Sequence, residues 1–210
     1  MTTPKWDLAV VGIGNMGVSV LGAFLAKGRR CIAVDIDTQK VSEMGRGRSV
    51  VPEHGAGILF AKAVAEGRLA ASTELARTNE AACIFVAVQT PAHGDHCDYS
   101  AIQRVLRDLA KCAAPGQPIV VGSTVFPGAI RDHLVPELAS RPDLPLVYEP
   151  VFLRAGFGIE DYLRPGKLLF GLADPTQVPE RVRSLFEAVV EAEPKYVSWE
   201  EAEWIKMVHN

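Results

Sequence analysis

Apolar positions in this chain fall into short unbroken runs that alternate with stretches of helical period. Leu8–Val11 is an apolar run suited to a strand buried on both faces. A helical pattern follows from about Met16 to Lys27 and closes at Gly28, and Cys31–Val34 is a second apolar run. The same reading predicts strands at Leu69–Ser72, Ala82–Val88, Gln117–Gly122, Leu144–Tyr148, Lys167–Leu172 and Lys195–Val197. It predicts helices at Asp37–Met44, Ile58–Glu66, Tyr99–Ala113, Gly128–Ala139, Pro175–Val190 and from Glu200 to Asn210, with Pro136 shortening or kinking the fourth of these. Ser72 or Thr73 is placed to cap a further short helix, and Asp98 to cap the helix from Tyr99. Strands alternating with helices predict an α/β fold: a doubly wound, Rossmann-type, mainly parallel sheet with helices on both faces.

Between the first strand and the first helix lies Gly12-Ile13-Gly14-Asn15-Met16-Gly17, and the second strand ends in Asp35. Gly12 permits a tight turn, Gly14 lets a pyrophosphate approach the backbone, and Gly17 lets the helix pack closely on the strand. The helix N-terminus, with the backbone of Ile13, Asn15 and Met16, offers N–H groups and partial positive charge to phosphates. Asp35 is eighteen residues beyond Gly17, where a carboxylate can accept from ribose hydroxyls and repel a 2′-phosphate. The expected cofactor is therefore NAD. Lys40 lies near the adenosine end, and Thr90, just past a strand's carboxyl end, lies near the cofactor. The alternative of a ligand-free glycine loop does not account for strand, glycines, helix, second strand and acid in this order. Leu8–Ala26 is uncharged and long enough to span a membrane. Its glycines, Asn15 and Ser19, and the α/β pattern that follows, argue instead for a strand and a buried helix. Asp7 beside the apolar run argues against a signal peptide.

The 210 residues are 48% hydrophobic with a net charge of −3. That permits a proper core and gives no support for a nucleic-acid partner. Cys31, Cys83, Cys97 and Cys112 look like reduced residues of a cytoplasmic protein rather than a disulfide framework. His93, Asp95, His96, Cys97 and Asp98 could be read as a metal site, but no second ligand cluster accompanies them. A polar loop, with no metal, is the expectation.

Beyond the glycine turn, a series of stretches resembles the UDP-glucose/GDP-mannose dehydrogenase family. These are VDID (Val34–Asp37), PEHGAGI (Pro52–Ile58), GRLAAST (Gly67–Thr73), FVAVQTP (Phe85–Pro91), STVFPG (Ser123–Gly128), FLRAGFGIEDYLRP (Phe152–Pro165) and AEWIKMVHN (Ala202–Asn210). The resemblance implies NAD-dependent oxidation of a nucleotide-sugar primary alcohol to a carboxylate through a cysteine thioester. It implies an NAD-binding domain at 1–198 and, at 199–210, the start of a long helix leading to a nucleotide-sugar domain that carries the cysteine. It implies pairing through that helix as a homodimer, and cofactor contacts from Gly12, Gly14, Gly17 and Asp35. Thr90 and Ser123 would line the nicotinamide side, and Thr124 would help hold the catalytic water. Phe152 and Leu153 would lie along the sugar nucleotide. Lys206 and Asn210, on one helix face, would stabilise an oxyanion and bind the sugar. Taken alone, Thr124 could equally be a helix cap and Lys206 a solvated lysine.

Two features depart from the family pattern. Its usual Pro-Glu-Phe-Leu, whose glutamate assists thioester hydrolysis, is Pro150-Val151-Phe152-Leu153 here, and Ala155 stands where a second acid is common. Valine can neither act as a base nor hold water, and nearby Glu149 is expected to point elsewhere. The cysteine-bearing region is also absent from these 210 residues, so this chain alone is expected to be incomplete for catalysis. A non-catalytic NAD-binding module of the same family is the alternative. A 3-hydroxyacid dehydrogenase is a further one, favoured by the wording GIGNMG but having no place for STVFPG or FLRAGFGIEDYLRP.

Overall fold

A computed structural model of the chain describes residues 4–93 and 96–209. Its main strands are β1 (Trp6–Val11), β2 (Cys31–Val34), β3 (Leu69–Ser72), β4 (Ala81–Val86), β7 (Ile119–Val121), β8 (Leu146–Tyr148), β9 (Leu168–Leu172) and β10 (Pro194–Ser198), while β5 (Ala92–His93) and β6 (His96–Cys97) form a separate antiparallel pair. The eight-stranded sheet has the order β3-β2-β1-β4-β7-β8-β9-β10. Strand order thus reverses between β1 and β4, which is where ligands gather in such sheets. The helices are α1 (Asn15–Ala26), α2 (Thr38–Gly45), α3 (Ala56–Ala65), α4 (Ser100–Cys112), α5 (Gly158–Leu163), α6 (Glu180–Glu187) and α7 (Trp199–His209).

Side-chain alternation along the strands feeds two cores. Leu8 and Val10 of β1, Cys83 and Phe85 of β4 and Phe170 of β9 join Phe24 of α1, Phe60 of α3 and Phe186 of α6 on one face. Ala9, Val11, Ile84, Val86 and Leu169 join Ile102, Leu106 and Leu109 of α4 and Ala202 of α7 on the other. The result is the doubly wound, mainly parallel sheet that the pattern predicts. The uncharged Leu8–Ala26 stretch is β1 and α1, and Gly17 to Leu25 are all buried. Among the described residues, no helix is long and apolar enough to cross a membrane.

The sheet departs from parallel at one junction. β9 runs antiparallel to β8, and β10 is parallel to β9. The connecting α5 has six residues, about 9 Å of helix, too short to return the chain along the sheet, so β9 enters from the end that β8 left. The sequence pattern gives no sign of α5. Its start is held by tertiary contacts: Glu53 accepts from the Gly158 and Ile159 N–H groups at 3.2 and 3.0 Å. A Cβ on Gly158 would lie 2.0 Å from Ser19 Oγ, so only glycine lets α5 seat on α1.

Two predicted helices are shorter or differently wound. The stretch at 128–139 is a π turn (Ile130–Leu134) followed by a 3-10 turn (Val135–Leu138), because Pro136 has no N–H with which to continue an α ladder. The helix expected at Pro175–Val190 is confined to Glu180–Glu187. Asp174 instead accepts from the Thr176 N–H and hydroxyl and from Gln177, a local turn that competes with helix.

Glu203 ties α7 to this irregular segment. It is fully buried, and its two oxygens accept from Gly128 N at 2.6 Å and Ile130 N at 2.8 Å. Glu203→Ala leaves two backbone donors without acceptors. It is expected to cost about 2–4 kcal/mol, read as a lowered urea midpoint; a loss below 0.5 kcal/mol would show that the tie carries no stability.

Candidate functional site

The turn between β1 and α1 is shaped by crowding on one side and space on the other. Gly12 has φ +97°, and a Cβ there would lie 2.6 Å from the Ala87 carbonyl oxygen. A Cβ on Gly17 would lie 1.9 Å from the Gly12 carbonyl oxygen. A Cβ on Gly14 would meet nothing within 4 Å. Gly14 is also the N-cap of α1, with no side-chain cap and no acid in the first turn. The helix therefore begins with N–H groups directed at open space, a ready place for a phosphate.

Asp35 is built into this turn. Its Oδ2 accepts from Ile13 N at 2.7 Å, its Oδ1 accepts from Asp37 N at 3.0 Å, and Lys40 Nζ stands 3.9 Å away. Each carboxylate oxygen keeps a lone pair for a ribose hydroxyl. The Ile13 side chain is buried in the core, so only its backbone is at the turn. Sequence reasoning missed Ile36, which follows Asp35 and is 93% exposed. An apolar residue between two aspartates at a strand end is the signal that marks it, and it offers a flat base an apolar surface. Glycine turn, uncapped helix and anchored acid together fit a dinucleotide carrying an unmodified ribose.

Thr90, Ser123 and Thr124 come together above β4 and β7. Thr90 donates to the Thr124 carbonyl at 2.6 Å, and Ser123 donates to the Val88 carbonyl at 2.6 Å. Tyr99 accepts from Phe126 N at 3.0 Å, and Cys97 donates to the Thr90 carbonyl at 3.3 Å. The hydroxyls of Thr90 and Ser123 thus fasten the two loops to each other. The metal reading of the 93–98 loop falls partly outside the described residues. Among those described, no group of three or more His, Cys, Asp or Glu could hold a metal ion.

A cleft of about 550 Å³ runs from the first turn of α1 to α7, with Asn15, Ser19, Phe152, Leu153, Lys206 and His209 on its walls. It brings together the predicted Phe152, Leu153 and Lys206. Thr124 is not on its wall, and Asn210 lies outside the described residues. Lys206 is 6% exposed, not the solvated lysine its sequence alone allows. Its ammonium donates to the Val151 carbonyl at 2.7 Å and stands 4.6 Å from the centre of the Phe152 ring, and burial pulls its pKa down. The His209 ring meets the Phe152 ring edge-on at 4.4 Å, and Lys167 Nζ lies 5.4 Å from the same ring.

The carboxylates near the cleft are committed elsewhere. Glu53 caps α5, and Asp161 pairs with Arg154 and accepts from its backbone N–H. Glu149 is 3% exposed and accepts from the Tyr162 hydroxyl at 2.8 Å. Burial pushes its pKa up to about 8, so it stays protonated near neutrality. It points at α5 rather than into the cleft, as the sequence reading expects.

Comparison with known proteins gives concordant matches. Residues 6–190 match the family model described as the UDP-glucose/GDP-mannose dehydrogenase family, NAD binding domain. The chain is 28% identical over 179 residues to GDP-mannose 6-dehydrogenase of Pseudomonas putida, covering 80% of this chain and 41% of that protein. It is 32% identical over 172 residues to UDP-glucose 6-dehydrogenase of Rhizobium meliloti, covering 79% and 39%. Among solved structures, a ternary complex of GDP-mannose dehydrogenase from Pseudomonas aeruginosa superposes with a TM-score of 0.88 at 25% identity, over 97% of this chain and 49% of that one. A UDP-glucose dehydrogenase from Pyrobaculum islandicum gives 0.84 at 25%, over 100% and 51%. The chain spans about half the length of the relatives it matches or less.

The buried Glu149 has a pH signature. Its folded pKa of about 8 exceeds the ordinary 4.5, so between these values the folded state holds a proton that the unfolded state has lost. Stability should therefore fall as pH rises through this window, by at most about 1.4 kcal/mol per pH unit. Glu149→Gln should flatten that fall in urea titrations from pH 5 to 8; an unchanged slope would overturn the assignment.

Proposed function

The chain belongs to the UDP-glucose/GDP-mannose dehydrogenase family, whose NAD-binding domain it carries, and from this we propose that it is the NAD-binding half of a nucleotide-sugar 6-dehydrogenase. The reaction is oxidation of a sugar primary alcohol to a carboxylate, completed with a second half that supplies the cysteine and binds the nucleotide. The observation that supports it best is the cleft. It begins at the α1 turn suited to a pyrophosphate and ends at a buried ammonium beside Phe152 and Leu153.

In this reading each residue has a physical task. Gly12, Gly14 and Gly17, with the N–H groups of Asn15 and Met16, take the pyrophosphate, while the Ile13 N–H holds the Asp35 carboxylate in place. Asp35 binds the adenosine ribose, Ile36 covers the base, and Lys40 steadies the Asp35 carboxylate. Bound NAD supplies the hydride acceptor. Thr90 and Ser123 hold the loops that border the nicotinamide. Thr124 helps hold water, Phe152 and Leu153 lie along the sugar nucleotide, and Lys206 stabilises negative charge developing on the reacting oxygen. Asn210 completes the sugar contacts. Residues 1–198 form the cofactor domain and 199–210 open the connecting helix of a cytoplasmic enzyme. STVFPG and FLRAGFGIEDYLRP favour this over a 3-hydroxyacid dehydrogenase.

Val151 and Ala155 favour a second reading, a cofactor-binding module without the complete oxidation, since neither side chain can move a proton.

Calorimetry should find NADH binding in the micromolar range, weakened at least tenfold by Asp35→Ala; no binding, or binding indifferent to Asp35, would overturn the cofactor assignment. The α7 face that exposes Trp204 and Val208, 60% and 84% accessible, is proposed to pair two copies. Sedimentation should show a dimer that Trp204→Glu dissociates, and a wild-type monomer would exclude that pairing.

A further inference from the structure

The loops that follow β4 and β7 meet along a series of contacts that one side chain completes. Phe126 precedes Pro127, and a residue before proline is held extended, out of helix. Its half-buried N–H stands ahead of the first turn of the 128–138 segment and needs an acceptor from elsewhere. The Tyr99 phenol supplies one at 3.0 Å. Tyr99 is itself firmly placed. It is the N-cap residue of α4, and its carbonyl accepts from Gln103 N at 2.9 Å. Its ring is 9% exposed and lies 5.2 Å from the His133 ring. Burial pushes the phenol pKa up to about 12, so it meets Phe126 as a neutral acceptor. The same stretch is gripped two residues earlier, where Thr90 donates to the Thr124 carbonyl at 2.6 Å, and Val125 between the two bonds is fully buried. Cys97 donates to the Thr90 carbonyl at 3.3 Å and Asp98 N to the Pro91 carbonyl at 2.9 Å. These bonds return the chain to Thr90 just before Tyr99, so both grips come from one folded-back loop. Every group in this clasp lies within residues 6–190, which match the NAD binding domain.

We propose that Tyr99 is a positioning residue for the nicotinamide end of the cofactor, acting through the Phe126 N–H on the Ser123–Thr124 backbone. This rests on the reading of the α1 turn and Asp35 as an NAD site with Thr90 and Ser123 beside the nicotinamide. Ser123 is tied to the Val88 carbonyl, Thr124 to Thr90, and Phe126 to Tyr99. The Tyr99 bond is the last of the three, and without it the segment swings about Thr124 toward Pro127. With it, Ser123 and Thr124 are set before the cofactor arrives. A loop ordered in advance costs less to order on binding, so affinity rises for the part of the ligand that the loop touches. The adenosine end is held by separate elements, the α1 turn and the end of β2, and gains nothing from Tyr99.

The test compares NADH with ADP-ribose, which lacks the nicotinamide, by calorimetry on the 210-residue chain and its Tyr99→Phe variant. The variant keeps the ring and loses only the acceptor. The wild-type chain should bind NADH about fivefold or more tighter than ADP-ribose. Tyr99→Phe should cut that preference by about threefold or more, through weaker NADH binding, with ADP-ribose changed by less than about twofold. The emission of bound NADH should shift toward that of the free cofactor. A role confined to stability would weaken both ligands together and leave the preference intact. Equal binding of the two ligands by the wild-type chain, or a preference that falls by less than about threefold in the variant, would overturn the proposal. Where melting shows Tyr99→Phe to be unfolded at the assay temperature, Cys97→Ala, which frees the Thr90 carbonyl in the same clasp, replaces it under the same criteria. ADP-ribose also separates the two readings. Its failure to bind the wild-type chain overturns the cofactor assignment, whereas ADP-ribose binding with a nicotinamide preference indifferent to Tyr99 overturns this inference alone.

Discussion

A methyl group on Gly17 would stand 1.9 Å from the carbonyl oxygen of Gly12, and the upper half of the molecule depends on that space staying empty. The close approach lets α1 start directly over β1, which aims its first N–H groups into open space. It also lets Asp35 reach back and take the Ile13 N–H. The turn, the helix and the second strand are thereby one rigid unit. Because α1 is then enclosed by the sheet, α3 and α5, its residues from Gly17 to Leu25 are all buried, and its composition is apolar enough to resemble a membrane span.

From that helix the rest of the site is built by close contacts that leave no room for larger side chains. Gly22 faces Ile159, where an added Cβ would be 2.3 Å from the Ile159 Cδ1, and Gly158 sits on Ser19. These place α5 and, with it, the 151–156 segment beside the first turn of α1. From the other face, α7 passes over Gly171, where an added Cβ would be 2.8 Å from the Ala202 Cβ. That passage carries Lys206 to the Val151 carbonyl. The two sheet faces thus meet in one cleft through backbone contacts at glycines. Buried and half-buried polar groups then fix the alignment: Glu203 on the 128–130 backbone, the half-buried Glu53 on α5, and Tyr162 on Glu149. Each is satisfied, which is the condition for burying it at little cost.

Much of this was legible along the chain, because the signals are local. Apolar runs and helical period mark β1, α1, β2 and β4, and the glycine spacing with Asp35 marks the cofactor turn. The series of family-like stretches located Phe152, Leu153 and Lys206, and family membership follows from the match over 6–190. Ile36 was passed over, since a single apolar residue between aspartates carries no periodicity. α5 was missed because its stability comes from Glu53 and Ser19, more than a hundred residues earlier in sequence.

What the sequence by itself determined is what depends on neighbours in the chain: the alternation of strand and helix, the glycine turn, the acid at the end of β2, and the absence of a carboxylate at Val151 and Ala155. What only the tertiary structure decided is what depends on distant segments meeting. That includes the reversal at β9, the burial of Lys206, and the diversion of Glu53, Glu149 and Glu203 to other partners. The physical reason is the same throughout. Periodicity and turn chemistry act over a few residues, whereas burial and the pairing of charges are set by whichever remote groups packing brings within a few ångströms.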